Sequence, residues 1–195
     1  LDTTVQFEDG VAIRVDRIAL TFGSGAPCQV IPLDGGHPGA ALEDLRGRLR
    51  RPDRRPARLD MGSVVDPVGP WSRSPIRVLA LPGATLGSEL DLIVRWRIPA
   101  NGLEWDPAPM GPVGVASLAV VGGVVRRGEQ PLVGEGPWHW ADVADRTHAL
   151  AVRGLEGLGE PDPQAPKPPT VPWALISQGG TATLERPGSP RHVVP

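Results

Sequence analysis

The stretch that decides the fold covers residues 90–98 and reads LDLIVRWRI. Every second residue in it is large and apolar: Leu90, Leu92, Val94, Trp96 and Ile98. Successive side chains of a β-strand point to opposite faces of its sheet, so this alternation predicts a strand with one buried face. Apart from Ile93, the intervening residues are charged and would face solvent.

The composition of the whole chain favours β-structure as well. Its 195 residues include 25 glycines and 24 prolines, about a quarter of the chain against roughly 12% in an average protein. These residues break helices and form turns, so a mostly helical protein is excluded. Hydrophobic residues make up 40% of the chain and its formal net charge is only -2, which is typical of a globular protein.

A second strand signal lies near the start of the chain. Residues 11–22 carry apolar side chains on one face and then change phase, at Val11, Ile13, Val15, Ile18, Leu20 and Phe22. A β-bulge near Asp16 and Arg17 would explain the change of phase. The Asp9-Gly10 turn before this strand predicts a hairpin over residues 5–22.

Further strands are predicted by short apolar runs at residues 76–81, 116–121, 124–127, 147–152, 174–177 and 181–185. Glycine pairs at residues 122–123 and 179–180 are typical of two-residue hairpin turns. About nine short strands separated by turns favour an antiparallel sandwich. Two short helices are also expected, one over residues 40–50, where Leu42, Leu45 and Leu49 have helical spacing, and one over residues 138–146.

These elements predict one all-β domain, an immunoglobulin-like antiparallel β-sandwich. The sandwich would cover residues 1–160, with an irregular arginine-rich insertion at about residues 40–75. Residues 161–195 would form a proline-rich arm with a terminal hairpin. Residues 161–172 (PDPQAPKPPTVP) carry the composition of polyproline II.

Three segments resemble a known family: VQFEDGVAIRVD at residues 5–16, LPGAT at residues 81–85, and the strand over residues 90–99. They are similar to the opening hairpin, the later turn and the long strand of bacterial extracellular immunoglobulin-like domains of the telokin-like type. The resemblance covers about half of the chain. It implies a non-enzymatic, exported binding or scaffolding domain without catalytic residues.

Candidate partner-binding residues fall into two groups. The first comprises tryptophans beside prolines or turn residues, where an exposed ring would anchor an interface: Trp71, Trp105, Trp138 and Trp173. The second belongs to a run of seven arginines within residues 46–58, which would hold phosphates, acidic lipid headgroups or an acidic protein surface, or form a solvated loop. From this run we expect Arg50, Arg51, Arg54 and Arg55 to supply charge complementarity.

Nucleic acid is not expected as a partner, because the net charge is slightly negative and the chain has 2 phenylalanines and no tyrosine for stacking. Residues 138–148 combine tryptophans, histidines and carboxylates. These residues could bind a divalent metal ion, or they could have structural roles as a helix cap and as core anchors. We prefer the structural interpretation. Motifs for nucleophilic, zinc or phosphate-loop chemistry are absent from the sequence. No metal, cofactor or catalytic residue is therefore expected.

The sequence thus predicts a non-enzymatic extracytoplasmic accessory or scaffolding subunit, periplasmic or at the cell surface, that binds a protein partner or a multisubunit complex. The chain begins at Leu1, and whether a signal peptide or a membrane tether precedes it stays open. Two alternatives stay open. One is a carbohydrate-binding or hydrolytic module centred on residues 138–148, and the other is a virion or particle-forming structural subunit with arms that reach neighbouring copies.

Overall fold

The computed structural model of the chain describes residues 1–23, 30–65, 77–105, 113–128, 147–155, 173–178, 182–184 and 192–194. Over these residues it contains fifteen β-strands and one short 3-10 helix, so the all-β prediction is confirmed. The strands are β1 Asp2–Glu8, β2 Val11–Thr21, β3 Val30–Leu33, β4 Ala41–Arg51, β5 Arg54–Asp60, β6 Val64–Val65, β7 Arg77–Ala80, β8 Glu89–Pro99, β9 Leu103–Trp105, β10 Val113–Val121, β11 Val124–Gly128, β12 Thr147–Leu155, β13 Trp173–Ser177, β14 Ala182–Leu184 and β15 His192–Val194, and the 3-10 helix is Met61–Ser63.

Seven strands form one large sheet in the order β12-β10-β1-β2-β8-β4-β5. The predicted hairpin is present as β1 and β2, and the residues of its turn have positive φ angles, 44° at Asp9 and 79° at Gly10. Neighbouring strands of this sheet are antiparallel except for β1 and β10, which are parallel. The antiparallel prediction therefore holds for all but one pair of the large sheet.

The core lies between the large sheet and two three-stranded sheets, β3-β7-β6 and β11-β13-β9. The alternation predicted for β8 is confirmed, because its five apolar residues are all at most 2% exposed. Facing residues of the smaller sheets join the same buried cluster, among them Leu33, Leu79 and Trp105. Each large apolar side chain buried in this way contributes about 1.5–3 kcal/mol.

The arginine-rich segment is regular structure rather than an irregular insertion. Residues 41–60 form the β4–β5 hairpin at one edge of the large sheet, so the helix predicted over residues 40–50 is wrong. The pairing of β4 with β8 shifts register between Leu42 and Asp44. This bulge adds one residue between Leu42 and Leu45, and it gives the two leucines the three-residue spacing that mimics a helix.

The predicted phase of β2 is also wrong. Its pairing with β8 runs without a register shift from Val11 to Thr21, so no bulge occurs at Asp16 and Arg17. The buried face carries Ala12, Arg14, Asp16 and Ile18. Val11, Ile13 and Val15 lie on the opposite face and are only half-buried.

Two predicted hairpins are replaced by other pairings. Gly122 and Gly123 connect β10 to β11, which belong to different sheets. Likewise β13 pairs with β9 and β11, whereas β14 pairs with β15. The helix predicted over residues 138–146, the proline-rich residues 161–172 and all of residues 66–75 lie outside the described residues.

Candidate functional site

A buried polar cluster interrupts the apolar inner face of the large sheet. Asp16 Oδ1 accepts hydrogen bonds from Arg14 Nε at 2.9 Å and from Thr3 Oγ1 at 2.7 Å. The Arg14 and Asp16 side chains are only 6% and 5% exposed. Thr3 lies directly opposite Asp16 in the β1–β2 ladder, so the register of the hairpin brings the three side chains together. A buried charge is costly unless it is paired, and here each charge offsets the other.

Trp105 covers this cluster from the facing sheet. Its indole Nε1 donates a hydrogen bond to Thr3 Oγ1 at 3.0 Å, and the residue is 0% exposed. The prediction that Trp105 is an exposed anchor is therefore wrong, because its polar edge is used inside the core. Trp71 and Trp138 lie outside the described residues, and of Trp173 the structure describes only its place at the start of β13.

The outer end of Arg14 reaches a tight loop between β3 and β4. Arg14 Nη1 donates to the Glu104 carbonyl oxygen at 3.4 Å, and the Glu104 N–H donates to the Gly36 carbonyl oxygen at 2.8 Å. Gly36 has a φ of 76°, and a Cβ there would overlap the Glu104 carbonyl oxygen. Only glycine fits this position, and the loop is therefore held against β9 beside the arginine.

His37 follows in the same loop and is half-buried. Its Nδ1 accepts a hydrogen bond from the Gly39 N–H at 2.8 Å, so this nitrogen carries no proton. Burial lowers the pKa of His37 below its ordinary value, and a hydrogen bond with Asn101 partly opposes that shift. The neutral imidazole is thus the form that this loop prefers.

The inner cluster is suited to holding strands together rather than to catalysis. Arg14, Asp16 and Thr3 use their polar atoms on one another and on Trp105, and they are shielded from solvent. Within the described ranges, no group of three or more His, Cys, Asp or Glu side chains could hold a metal ion. Sequence reasoning missed this cluster. The signal was that both strands of the hairpin carry polar residues on the same face as core residues: Thr3 on β1, and Arg14 and Asp16 on β2.

The opposite side of the large sheet carries several exposed arginines. We define the arginine face as Arg46, Arg48 and Arg50 of β4 together with Arg58 of β5, all of them exposed. Arg46 Nε lies 2.9 Å from Asp44 Oδ2, and Arg50 forms ion pairs with Asp91 and, at 3.5 Å, with Glu89.

Arg48 and Arg58 differ from these two paired arginines. They lie directly opposite each other in the β4–β5 ladder, and in the described part of the chain neither has an ion pair with a carboxylate. Like charges placed directly opposite each other in a sheet are destabilising. The carboxylate next to Arg48 on the other side, Asp91, is already engaged by Arg50.

The arginines predicted from the sequence have three different environments. Arg50 belongs to the arginine face, whereas Arg51 is half-buried and donates to the carbonyl oxygens of Pro82 at 3.0 Å and Arg55 at 2.6 Å. Arg54 and Arg55 are exposed near the hairpin turn. Arg51 therefore fastens the turn to the loop before β8 and is not free to meet a partner.

An open groove of about 790 Å³ crosses the outer side of the sheet next to the arginine face. Arg17, Arg46 and Arg48 line it together with Ile93, which is 48% exposed. The Arg17 side chain belongs to β2, two strands away from β4 in the sheet order. Cations from two strands and the carboxylates of Asp2 and Asp91 thus line the groove beside an exposed aliphatic side chain.

No protein-family model matches the chain, but it is similar in part to known proteins. The cyclic AMP-dependent transcription factor ATF-5 of Mus musculus is 38% identical over 98 residues, which is 45% of this chain and 33% of that protein. A crystal structure described as "a putative protease" from Parabacteroides distasonis ATCC 8503 aligns with a TM-score of 0.60 and 14% identity, over 92% of this chain and 39% of that chain. The second similarity shows the fold alone, and this chain spans less than half the length of either protein.

The similarity to a transcription factor corrects one prediction. The expectation that nucleic acid is not a partner is wrong, because a protein named as a transcription factor shares 38% identity with part of this chain. The physical argument behind that expectation was weak, since net charge averages over the whole chain whereas the four exposed arginines of the arginine face are grouped on the β4–β5 hairpin. In the described ranges, no helix is long and apolar enough to cross a membrane.

Proposed function

We propose that the chain is a non-enzymatic binding module that docks an acidic protein partner through the arginine face. The observation that carries this proposal is the juxtaposition of Arg48 and Arg58 without a carboxylate partner in the described residues. The sheet retains two adjacent like charges at a cost of about 0.2–1 kcal/mol, which an acidic partner would remove. Such pairs direct association and specificity more than they contribute to folding.

The pattern of charges around the pair supports a protein as the partner. Carboxylates alternate with the arginines across this side of the sheet, at Asp44, Asp60, Glu89 and Asp91. Ile93 adds an exposed apolar side chain beside the groove. An apolar centre with mixed charges around it is typical of protein–protein interfaces.

Binding to poly-glutamate and to duplex DNA of matched charge, measured over a range of salt concentrations, tests the proposal. We expect poly-glutamate binding that weakens with salt and falls by about tenfold in the double variant Arg48→Gln and Arg58→Gln. The control variant combines Arg95→Gln and Arg97→Gln, which removes two arginines that lie near Glu43 on the same side of the sheet. No binding, or equal losses in both variants, would contradict the proposal, and stronger binding to DNA would replace the protein partner with nucleic acid.

Two finer statements belong to the same proposal. We propose that the sandwich is of the immunoglobulin-like class, supported by two facing layers of largely antiparallel strands. We also propose an extracytoplasmic accessory role, supported by the similarity of residues 5–16, 81–85 and 90–99 to exported telokin-like domains. Fractionation of the native host with an antibody to this chain tests the location, and recovery only in the cytosol would overturn it.

A further inference from the structure

The pair formed by Arg48 and Arg58 has a geometry that suits one kind of anion. Directly opposite residues of an antiparallel pair have Cβ atoms about 4.5–5.5 Å apart, so both guanidinium groups can reach a single group placed above the sheet. Each guanidinium presents five N–H donors. Both side chains are exposed, and among the described residues neither arginine has a hydrogen bond or ion pair.

The charged residues around Arg48 and Arg58 interact with other partners. Arg46 and Arg50 are engaged by Asp44 and by Glu89 and Asp91. Asp60, the nearest carboxylate on β5, accepts a hydrogen bond from the Gly62 N–H at 2.9 Å and caps the 3-10 helix. Arg48 and Arg58 are therefore the two members of the arginine face that have no ion pair with another described residue.

We propose that Arg48 and Arg58 together bind a phosphomonoester group. A phosphomonoester carries about -1.5 to -2 charges at neutral pH and three acceptor oxygens, so it balances both arginines at once. A carboxylate carries one charge and two oxygens and would leave one arginine unbalanced. Arginine also binds phosphate oxygens through two parallel hydrogen bonds, a geometry that lysine cannot offer. This inference rests on the proposed function, because it names the chemical group that the arginine face recognises.

Titration of the full chain with inorganic phosphate, monitored by calorimetry at constant ionic strength with chloride as the reference, tests the site. We expect saturable binding that weakens by about tenfold or more in Arg58→Gln and is only partly restored in Arg58→Lys. The Arg95→Gln variant should bind phosphate as the wild type does. Full affinity in Arg58→Lys would show that charge alone acts and would overturn the bidentate site.

Two further ligands identify the source of the phosphomonoester. A phosphoserine peptide and glucose 6-phosphate are each compared with their unphosphorylated forms. Tighter binding of the phosphopeptide indicates a protein ligand, and tighter binding of glucose 6-phosphate indicates a sugar ligand. Equal binding of the phosphorylated and unphosphorylated forms would overturn the proposal. If poly-glutamate binds through the arginine face but phosphate does not, this inference fails alone; if neither binds, the proposed function fails with it.

Discussion

Arg14 and the pair of Arg48 and Arg58 carry the same charged group on opposite sides of one sheet. Arg14 is buried, and its guanidinium is used by Asp16 and by the Glu104 carbonyl oxygen. Arg48 and Arg58 are exposed, and water solvates their charges. Burial makes pairing obligatory because desolvating a lone charge costs several kcal/mol, whereas exposure lets a surface keep unbalanced charge for a ligand. The environment therefore distinguishes a structural arginine from one that is available for binding.

Replacing Asp16 by Ala tests the buried side most severely. The substitution leaves Arg14 charged and unpaired in the core and removes the acceptor of the Thr3 hydroxyl, so we expect a loss of about 3–5 kcal/mol in the free energy of unfolding. Urea denaturation measures it.

The double variant Arg14→Met and Asp16→Leu provides the matched control. Because it removes both charges, it should be more stable than Asp16→Ala. If the loss of unfolding free energy in the double variant equals the sum of the losses at the two sites changed singly, the two charges are not coupled.

Gly36→Ala tests how the loop is held beside the buried arginine. The left-handed conformation alone costs a non-glycine residue about 1–2 kcal/mol, and the new Cβ would also overlap the Glu104 carbonyl oxygen. Gly10→Ala is the control, because Gly10 has a φ of 79° but a Cβ added there would meet nothing within 4 Å. Thermal unfolding should show the larger loss at Gly36, and equal losses would mean that the loop can move away from β9.

Acidification is expected to lower the stability of the fold through His37, which is half-buried in the loop between β3 and β4. Because the fold lowers the pKa of His37, the unfolded chain takes up this proton at a higher pH than the folded chain does. The contribution of neutral His37 to the free energy of unfolding is thus fully present above about pH 6.5, the ordinary pKa of histidine. It is lost as the pH falls from there toward the lower pKa of the folded state.

Urea midpoints compared between about pH 7.5 and about pH 5, which bracket the ordinary histidine pKa, measure this dependence. The wild type should lose more stability over this interval than His37→Gln does. A wild type and variant with parallel pH profiles would show that protonation of His37 is not coupled to folding.

The smallest effect is expected on the exposed side. Arg95 Nε lies 3.0 Å from Glu43 Oε2, and both side chains are partly exposed. Arg95→Gln should change the free energy of unfolding by less than about 1 kcal/mol, and high salt should remove the difference. A change as large as that in Asp16→Ala would abolish the contrast between the two sides.

The strand β8 could be predicted from the sequence because its alternation is strict and its buried residues are large. The phase of β2 could not. Val11, Ile13 and Val15 are more apolar than Ala12, Arg14 and Asp16, yet the second set faces the core. The pairing of β2 with β8 decides which face of β2 is buried, since it places Arg14 opposite the buried Trp96. The sequence of a single strand does not contain this register.

The candidate binding residues show the same limit. The arginine-rich run is visible in the sequence, and Arg50, one of the residues chosen from it, is exposed on the hairpin. The juxtaposition of Arg48 and Arg58 depends on the β4–β5 register, which was hidden because the bulge at Leu42 and Asp44 gave β4 a helical spacing. The composition therefore reveals the cluster of charge, but only strand pairing separates the arginines that form ion pairs from those that form none with another described residue.

The parallel contact between β1 and β10 has a consequence for the order of assembly. The Ser117 hydroxyl donates to Asp2 at 2.7 Å across 115 positions of sequence, and β1 lies inside the large sheet between β2 and β10. During synthesis, the β1–β2 hairpin must wait with one edge open until β10 has left the ribosome. Because distant contacts close slowly, we expect this sheet to fold late and slowly, with the edge of β1 exposed to misassociation in the interval.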